Sequence, residues 1–172
     1  EGEVSLPGGC NLGSRPVDMH IAGFRKLGAE VISKSGFVQA KAKKLTGARI
    51  LFPKVSVGAT KNCLMAASVA EGETILENCA REPEIIDLAN FLIAMGAKIK
   101  GVGRQKMTVT GVKELHGVDY NVVADRIEVG TYLIAGAITN GDVTITGCVP
   151  EHVTSLLDLM REMGQEITVG ED

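Results

Sequence analysis

The chain of 172 residues is long enough for one ordinary hydrophobic core, or for parts of two. Apolar residues make up 45% of the sequence and aromatic residues only 3%, so aliphatic side chains, alanine and methionine must fill the interior. The net charge of −3 argues against a nucleic-acid partner, and the lack of a run of about 18 apolar residues argues against a membrane span.

The first predicted element is a glycine-rich loop around Cys10, followed by a helix that begins near Pro16. A thiol on such a loop, close to Arg15 and to backbone N–H groups, should have a pKa below its usual value of about 8.5. These features make Cys10 a candidate reactive cysteine. A small loop cysteine without chemistry explains the same pattern.

Three predicted helices share one way of ending. They begin near Pro16, Pro83 and Pro150, and each ends at a glycine that precedes a strand. The closing glycines, which are spaced by 68 residues, are Gly28, Gly96 and Gly164. A glycine in this position closes a helix by adopting a left-handed backbone conformation.

Residues Lys54–Gly58 precede the second predicted helix. Lys54, the Ser56 hydroxyl and the free N–H groups of a helix start form a candidate anion site. Ordinary capping of the helix by Ser56 is the alternative explanation. The segment is not a P-loop, because the GxxxxGK[ST] spacing is absent, and Gly101–Arg104 reads as a turn between strands.

A second repeat concerns the helices that open at Gly58 and Gly130. Each is followed by a strand, at residues 74–79 and 143–148, so residues 58–100 and 130–168 should share the order helix, strand, helix, strand. Residues 59–70 and 131–138 carry almost no charge, which predicts two buried helices. Further strands are predicted near residues 106–109 and 120–123.

The four cysteines, Cys10, Cys63, Cys79 and Cys148, have no CxxC spacing. We therefore expect no zinc site and a reduced, cytoplasmic protein without a signal peptide. Cys63 and Cys79 lie among small and apolar residues, which predicts buried, inert thiols.

Four motifs along the chain carry a resemblance to a known family. In their order, they are Leu6–His20, Lys54–Thr60, Ala80–Ile85 and Asp125–Thr131. Together they resemble the UDP-N-acetylglucosamine enolpyruvyl transferases, whose members are more than twice as long as this chain. The chain therefore resembles a central fragment of such an enzyme, which agrees with its lack of a start methionine.

The resemblance implies an α/β (α+β) fold, an inside-out α/β barrel built from βαβαββ repeats with helices inside and sheets outside. By the same resemblance, residues 1–124 finish one domain, residues 125–172 begin the second, and the active site lies between the two domains. Residues 121–125 are then the crossing point.

The implied reaction transfers an enolpyruvyl group from phosphoenolpyruvate to the 3-hydroxyl of UDP-N-acetylglucosamine and releases phosphate, in the first committed step of peptidoglycan synthesis. No metal or organic cofactor is required, and no nucleic acid or membrane takes part. Cys10 is the expected proton donor to C3 and can also attack C2. A cysteine, rather than the aspartate of some members, implies sensitivity to fosfomycin. Groups that the family carries elsewhere are missing, so this chain alone should be inactive.

The resemblance also implies a set of substrate-binding residues. They are Arg15, Pro16, Val17, Asp18, Met19, Lys54, Val55, Ser56, Val57, Gly58, Glu82 and Arg126. Asp18 is expected to accept a hydrogen bond from uracil, although a first-turn helix acid explains it equally. A structural ion pair explains Glu82 and Arg126 nearly as well, and His20 has no expected catalytic role.

Three other functions remain open at this stage. The first is transfer of the enolpyruvyl group to shikimate 3-phosphate by the related synthase, although the amino-acid sequence of the Cys10 loop argues against it. The second is a non-catalytic module that binds a sugar nucleotide, and the third is a purely structural repeat domain.

Overall fold

The computed structural model describes residues 1–5, 16–34 and 36–170 of the chain. The chain forms two compact units, residues 1–120 and residues 121–172. Within the described residues, no helix has both the length and the apolar character needed to cross a membrane.

The first unit begins with a small antiparallel sheet and one helix. Its elements are β1 (Gly2–Ser5), α1 (Asp18–Lys26), β2 (Glu30–Lys34) and β3 (Phe37–Lys41). Strand β3 lies between β1 and β2. The predicted helix after Pro16 is therefore present, and the predicted strand follows its closing glycine.

The larger sheet of the first unit has four strands and two helices. Its elements are β4 (Arg49–Leu51), α2 (Val57–Ser68), β5 (Glu73–Glu77), α3 (Pro83–Ala94), β6 (Lys98–Lys100) and β7 (Lys106–Thr110). The strands lie in the order β4-β5-β7-β6, with β4 parallel to β5 and the other pairs antiparallel. The chain order is the βαβαββ unit that the sequence analysis expects.

Helix α2 lies at the centre of the core of this unit, against β5, β7, α1 and α3. Small side chains allow this close packing, since a Cβ atom at Gly23 of α1 would overlap the Sγ atom of Cys63. Burial of α2 is confirmed on these faces, although Met65 and Val69 are exposed. In β5 and β7, buried residues alternate with exposed or partly buried ones, so one face of the sheet packs on the core.

The predicted inert cysteines are confirmed in the same core. Cys63 and Cys79 are at most 1% exposed. Burial raises the pKa of each thiol to about 11, so both thiols stay protonated at neutral pH. Neither has the thiolate character that reactivity requires.

The second unit is helical. Its elements are α4 (Arg126–Ile138), a 3₁₀ helix at Pro150–Val153, and α5 (Thr154–Glu162). A small core joins Val129, Val153 and Leu157. The predicted left-handed conformation of the glycines that close the helices is confirmed in both units. Gly28, Gly96 and Gly164 have φ angles of +91°, +103° and +90°.

Three strand predictions for the later part of the chain are wrong. Residues 120–123, 143–148 and 165–168 are not strands, so the two repeats do not share their full order of elements. A strand forms only with a hydrogen-bonded partner. Strand β5 has such partners in β4 and β7, whereas the described residues of the second unit include no strand at all.

The prediction that α4 is buried is also wrong. Ile127, Tyr132 and Ile138 are 61%, 57% and 79% exposed. Helix α2 is covered by a sheet and two helices, whereas α4 packs on the 3₁₀ helix and carries few buried residues. The apolar composition of α4 is therefore not matched by apolar surroundings.

Candidate functional site

Two of the predicted site residues, the catalytic candidate Cys10 and the cation Arg15, lie outside the described residues. Their roles stay predictions. The remaining predicted residues lie at the starts of α1, α2, α3 and α4.

The first group lies where α1 begins. Pro16 precedes the helix, and the carbonyl oxygen of Val17 accepts a hydrogen bond from the N–H of Ile21 at 3.0 Å. Asp18 is the exposed first residue of α1, and Met19 is buried. Asp18 thus has the position of a first-turn acid that complements the helix dipole, and its carboxylate is also accessible to a ligand.

The second group lies where α2 begins. The Ser56 hydroxyl accepts a hydrogen bond from the N–H of Ala59 at 3.3 Å, so Ser56 caps the helix. Lys54 and Val55 are exposed just before it, and no acidic side chain lies in its first turn. The N–H groups of Val57 and Gly58 have no intrahelical acceptor, as in any helix start. Both features that the sequence predicts are therefore present. Ser56 caps the helix, and the positive N-terminal end of the helix dipole lies next to Lys54.

The structure brings the starts of α1 and α2 together through His20. Its Nδ1 atom lies 2.6 Å from the Nδ2 atom of Asn62, and its ring lies about 3.1 Å from the point where a Cβ atom of Gly58 would be. A larger residue at Gly58 would push this ring away. An amide nitrogen can only donate, so this contact is a hydrogen bond when the neutral ring carries its proton on Nε2.

The environment of His20 favours this neutral form. Partial burial lowers the pKa of His20, and the nearby Asp18 carboxylate only partly opposes the effect. His20 thus links α1 to α2, which agrees with the structural role expected for it. Its partner Asn62 is 42 residues away, and no local sequence signal indicates this contact.

A pocket of about 140 Å³ opens beside the first group. Asp18 and Lys26 lie at its polar side, and Met19, Phe52 and Pro53 give it an apolar side. Lys54 follows Pro53 directly in the chain, so the pocket adjoins both predicted groups.

Sequence reasoning missed Lys26, Phe52 and Pro53 as part of this pocket. One signal was available, because Asp18, Ala22 and Lys26 are spaced by four residues and share one face of a helix. The contact of this face with residues 50–53 joins segments that are distant in sequence.

Glu82 and Arg126 lie at the starts of α3 and α4, in different units. The Glu82 carboxylate accepts a hydrogen bond from the N–H of Arg81 at 2.8 Å. The same loop is attached to α2, because the N–H of Ala80 donates to the Thr60 hydroxyl at 3.1 Å. Arg126 follows Asp125, which caps α4 by accepting from the N–H of Ile127 at 2.8 Å. That both residues line one cleft stays a prediction.

Replacing His20 with glutamine is expected to weaken the pH dependence of stability. The folded pKa of His20 lies below the unfolded value of about 6.5, so its contribution is complete above that pH and is lost as the pH falls. The free energy of unfolding should therefore fall less between pH 7.5 and pH 5.0 in His20→Gln than in the parent chain. Urea titrations followed by circular dichroism at the two pH values measure this difference. Equal pH dependence in both chains would contradict the prediction.

Three comparisons relate the chain to known proteins. The family model described as EPSP synthase (3-phosphoshikimate 1-carboxyvinyltransferase) matches residues 1–172. Among curated relatives, proteins named UDP-N-acetylglucosamine 1-carboxyvinyltransferase are similar to this chain. The one from Koribacter versatilis is 51% identical over 97% of the chain, and the one from Carboxydothermus hydrogenoformans is 52% identical over 100%. A third from Caldanaerobacter subterraneus is 53% identical over 95%. The chain spans only 39%, 41% and 39% of these relatives' own lengths.

Solved structures of similar fold include the enolpyruvyl transferase NikO from Streptomyces tendae, with a TM-score of 0.71 and 21% identity over 92% of this chain and 41% of that one. EPSP synthase from Acinetobacter baumannii has a TM-score of 0.69 and 22% identity over 98% of this chain and 39% of that one. At these identities the likeness concerns the fold alone, and it confirms the expected fold class.

Proposed function

We propose that this chain, which belongs to the EPSP synthase (3-phosphoshikimate 1-carboxyvinyltransferase) family, is part of a larger enzyme. That enzyme would transfer an enolpyruvyl group from phosphoenolpyruvate to the 3-hydroxyl of UDP-N-acetylglucosamine. The observation that carries the proposal is identity of 51–53%, over almost the whole chain, to relatives named for this acceptor. The product would enter peptidoglycan synthesis in the cytoplasm.

The activity is assigned to a longer protein, since the chain spans about two fifths of the length of the relatives. Residues 1–124 would complete one domain, and residues 125–172 would begin the second. The reaction would take place in the cleft between the two whole domains. The chain alone would then hold only part of the site.

In the proposed mechanism, the Cys10 thiol gives its proton to C3 of phosphoenolpyruvate while the sugar 3-hydroxyl oxygen bonds to C2 and loses its own proton to a base. A base then takes a proton from C3, the double bond forms again, and phosphate departs from C2. The Cys10 thiol can also add across the C2–C3 double bond, with its proton going to C3 and its sulfur bonding to C2, to give a covalent adduct. These steps need neither a metal nor an organic cofactor.

Binding of the nucleotide is assigned to the two neighbouring helix starts. Arg15, Lys54 and the N–H groups at Val57 and Gly58 would hold the diphosphate, because a cation and a helix start both favour an anion. Asp18 would accept from the uracil ring. The contact of His20 with α2 supports a joint site, since it keeps these two starts side by side.

The remaining assigned residues complete the binding set. Pro16, Val17 and Met19 would shape the nucleotide site from α1, and Val55 and Ser56 from the start of α2. Glu82 and Arg126 would act near the substrates in the cleft. Attachment of the Glu82 loop to α2, through Ala80 and Thr60, supports a fixed position for Glu82 relative to the nucleotide.

A phosphate-release assay on the longer protein tests the proposal. With phosphoenolpyruvate present, UDP-N-acetylglucosamine is expected to give turnover, and shikimate 3-phosphate is expected to give none. Turnover with shikimate 3-phosphate alone would assign the chain to the related synthase. Binding of UDP-N-acetylglucosamine without phosphate release would indicate a sugar-nucleotide binding module instead.

The 172-residue chain is the matched control in this assay. It is expected to give no turnover, because a base, further cations and most of the second domain are contributed by other parts of the longer protein. Steady turnover by the 172-residue chain would contradict the assignment of roles.

A further inference from the structure

Two loops of the candidate site leave the larger sheet at the same edge. One runs from Phe52, just after β4, to Ser56, which caps α2, and the other runs from Asn78, just after β5, to Glu82, which precedes α3. Strands β4 and β5 are parallel neighbours, so both loops start at their carboxyl ends. Ligands commonly bind outside this edge when helices follow parallel strands.

Asn78 has a backbone conformation that few side chains adopt. Its φ angle is +59°, and in the part of the chain that the structure describes only one other non-glycine residue, Asn140, has a positive φ. Asparagine tolerates this left-handed region better than most residues, but glycine adopts it without strain. An asparagine at this position therefore indicates a use for its amide side chain.

The amide of Asn78 continues the pairing of β4 and β5 where the backbone stops. The N–H of Phe52 donates to the carbonyl oxygen of Glu77 at 3.0 Å. In a parallel ladder, the carbonyl oxygen of Phe52 would next accept from the N–H of Cys79. That N–H instead donates to the carbonyl oxygen of Gln105 at 2.9 Å. The Nδ2 atom of Asn78 takes its place and donates to the Phe52 carbonyl oxygen at 3.0 Å.

This hydrogen bond has no ready substitute. Phe52 is only 2% exposed, so water has little access to the carbonyl oxygen, and a buried acceptor without a donor is costly. The loop after β5 has a second attachment, from the N–H of Ala80 to the Thr60 hydroxyl of α2. Without the amide of Asn78, that loop would stay attached to α2 but could shift relative to the end of β4.

We propose that Asn78 is a positioning residue for enolpyruvyl transfer, which holds the loop of Glu82 in register with the nucleotide-binding segment 54–58. The inference rests on the proposed function, which assigns the diphosphate to this segment and places Glu82 near the substrates. Asn78 touches no substrate and acts through the carbonyl group of Phe52. A misplacement of about 1 Å can lower the rate about a hundredfold, so the reaction should suffer more than nucleotide binding.

Two substitutions in the longer protein test the proposal. Asn78→Gly keeps the left-handed backbone without strain and removes the amide. Asn78→Asp keeps the size of the side chain and its tolerance of this conformation, but an ionised carboxylate cannot donate to the Phe52 carbonyl. Asn140→Gly is the matched control, because Asn140 has a φ of +50°, follows α4 and has no assigned role. Phosphate release gives kcat, and calorimetric titration gives the Kd of UDP-N-acetylglucosamine.

Both Asn78 variants are expected to lower kcat by at least about tenfold, because the substrates and the Glu82 loop lose their register. The Kd of UDP-N-acetylglucosamine should change by less than about threefold, since its segment keeps its contacts with α1 and α2. Asn140→Gly should keep the kcat of the parent protein. A purely structural role would lower the free energy of unfolding but leave kcat per folded molecule unchanged, and urea titration gives the folded fraction.

Hydrogen exchange in the same proteins measures the contact without turnover. The amides of Phe52 and Ala80 should exchange faster in Asn78→Gly than in the parent protein, whereas the Leu64 amide within α2 should not change. In an active parent protein, an unchanged kcat in either Asn78 variant, or unchanged exchange at Phe52, would overturn this inference alone. A parent protein without turnover would overturn the proposed function, and this inference with it.

Discussion

Replacing Cys10 with alanine in the longer protein is expected to lower phosphate release by at least about a hundredfold. General acid catalysis by a positioned group contributes about 10²–10⁴-fold, and alanine has no proton to give to C3 of phosphoenolpyruvate. Binding of UDP-N-acetylglucosamine should stay within about twofold, since the nucleotide is assigned to residues of α1 and α2. Steady-state kinetics together with calorimetric titration of the nucleotide separate the two effects.

Two further variants control for the loss of a thiol in general. Cys148→Ala removes a cysteine that has no assigned role in the reaction and is expected to keep full activity. Cys10→Asp keeps an acidic group at the same position, so it should retain turnover while losing alkylation by fosfomycin, which needs a thiolate nucleophile. Turnover by Cys10→Ala close to that of the parent protein would show that another group protonates C3.

Local signals carried most of the fold prediction. A glycine that follows a helical pattern commonly ends the helix in a left-handed backbone conformation, as Gly28, Gly96 and Gly164 do. Turn residues and apolar spacing predicted helix, strand, helix and strand over residues 58–100 and a further strand near residues 106–109, whereas the complete βαβαββ order was implied by the family resemblance. The near absence of charge in α2, where Lys61 is the one charged residue, indicated a helix with neighbours on several sides.

The failures share one cause, which is that burial and strand pairing depend on distant partners. Val143 and Ile145 alternate with threonine just as core residues alternate in β5, yet they form no strand in the structure. Helix α4 is as apolar as α2, but Tyr132 and Ile138 remain exposed. A sequence pattern indicates that a segment needs an apolar or hydrogen-bonded partner, but it does not show whether that partner is present.

The candidate site divides along the same line. Capping by Ser56 could be predicted from its position before a helix, because the contact is local. The contact between His20 and Asn62, and the pocket that joins Asp18 and Lys26 to Phe52, could not be predicted. Both depend on how α1 packs on α2 and β4, which no single segment encodes.

Replacing Leu64 with alanine is expected to destabilise the first unit by about 2–5 kcal/mol, the usual cost of a leucine-to-alanine change in a packed core. Leu64 lies on α2 and is completely buried. The cavity would open where α2 meets the sheet and the other helices, and close packing of small residues leaves little freedom to collapse it. Urea titration followed by circular dichroism, with hydrogen exchange of α2 amides, measures the loss.

The neighbouring Met65→Ala is the matched control, because Met65 lies on the same helix and is 43% exposed. Met65→Ala should lower the free energy of unfolding by less than about 1 kcal/mol, since exposed substitutions away from packed sites have small effects.

Leu133→Ala provides a second comparison, at the repeat position 69 residues later on α4, where the side chain is only partly buried. Its cost in this chain should be smaller than that of Leu64→Ala. A decrease of less than about 1 kcal/mol in the free energy of unfolding for Leu64→Ala would contradict the central place of α2 in the core. Truncation of a fully buried leucine in tightly packed surroundings destabilises a protein by more than that.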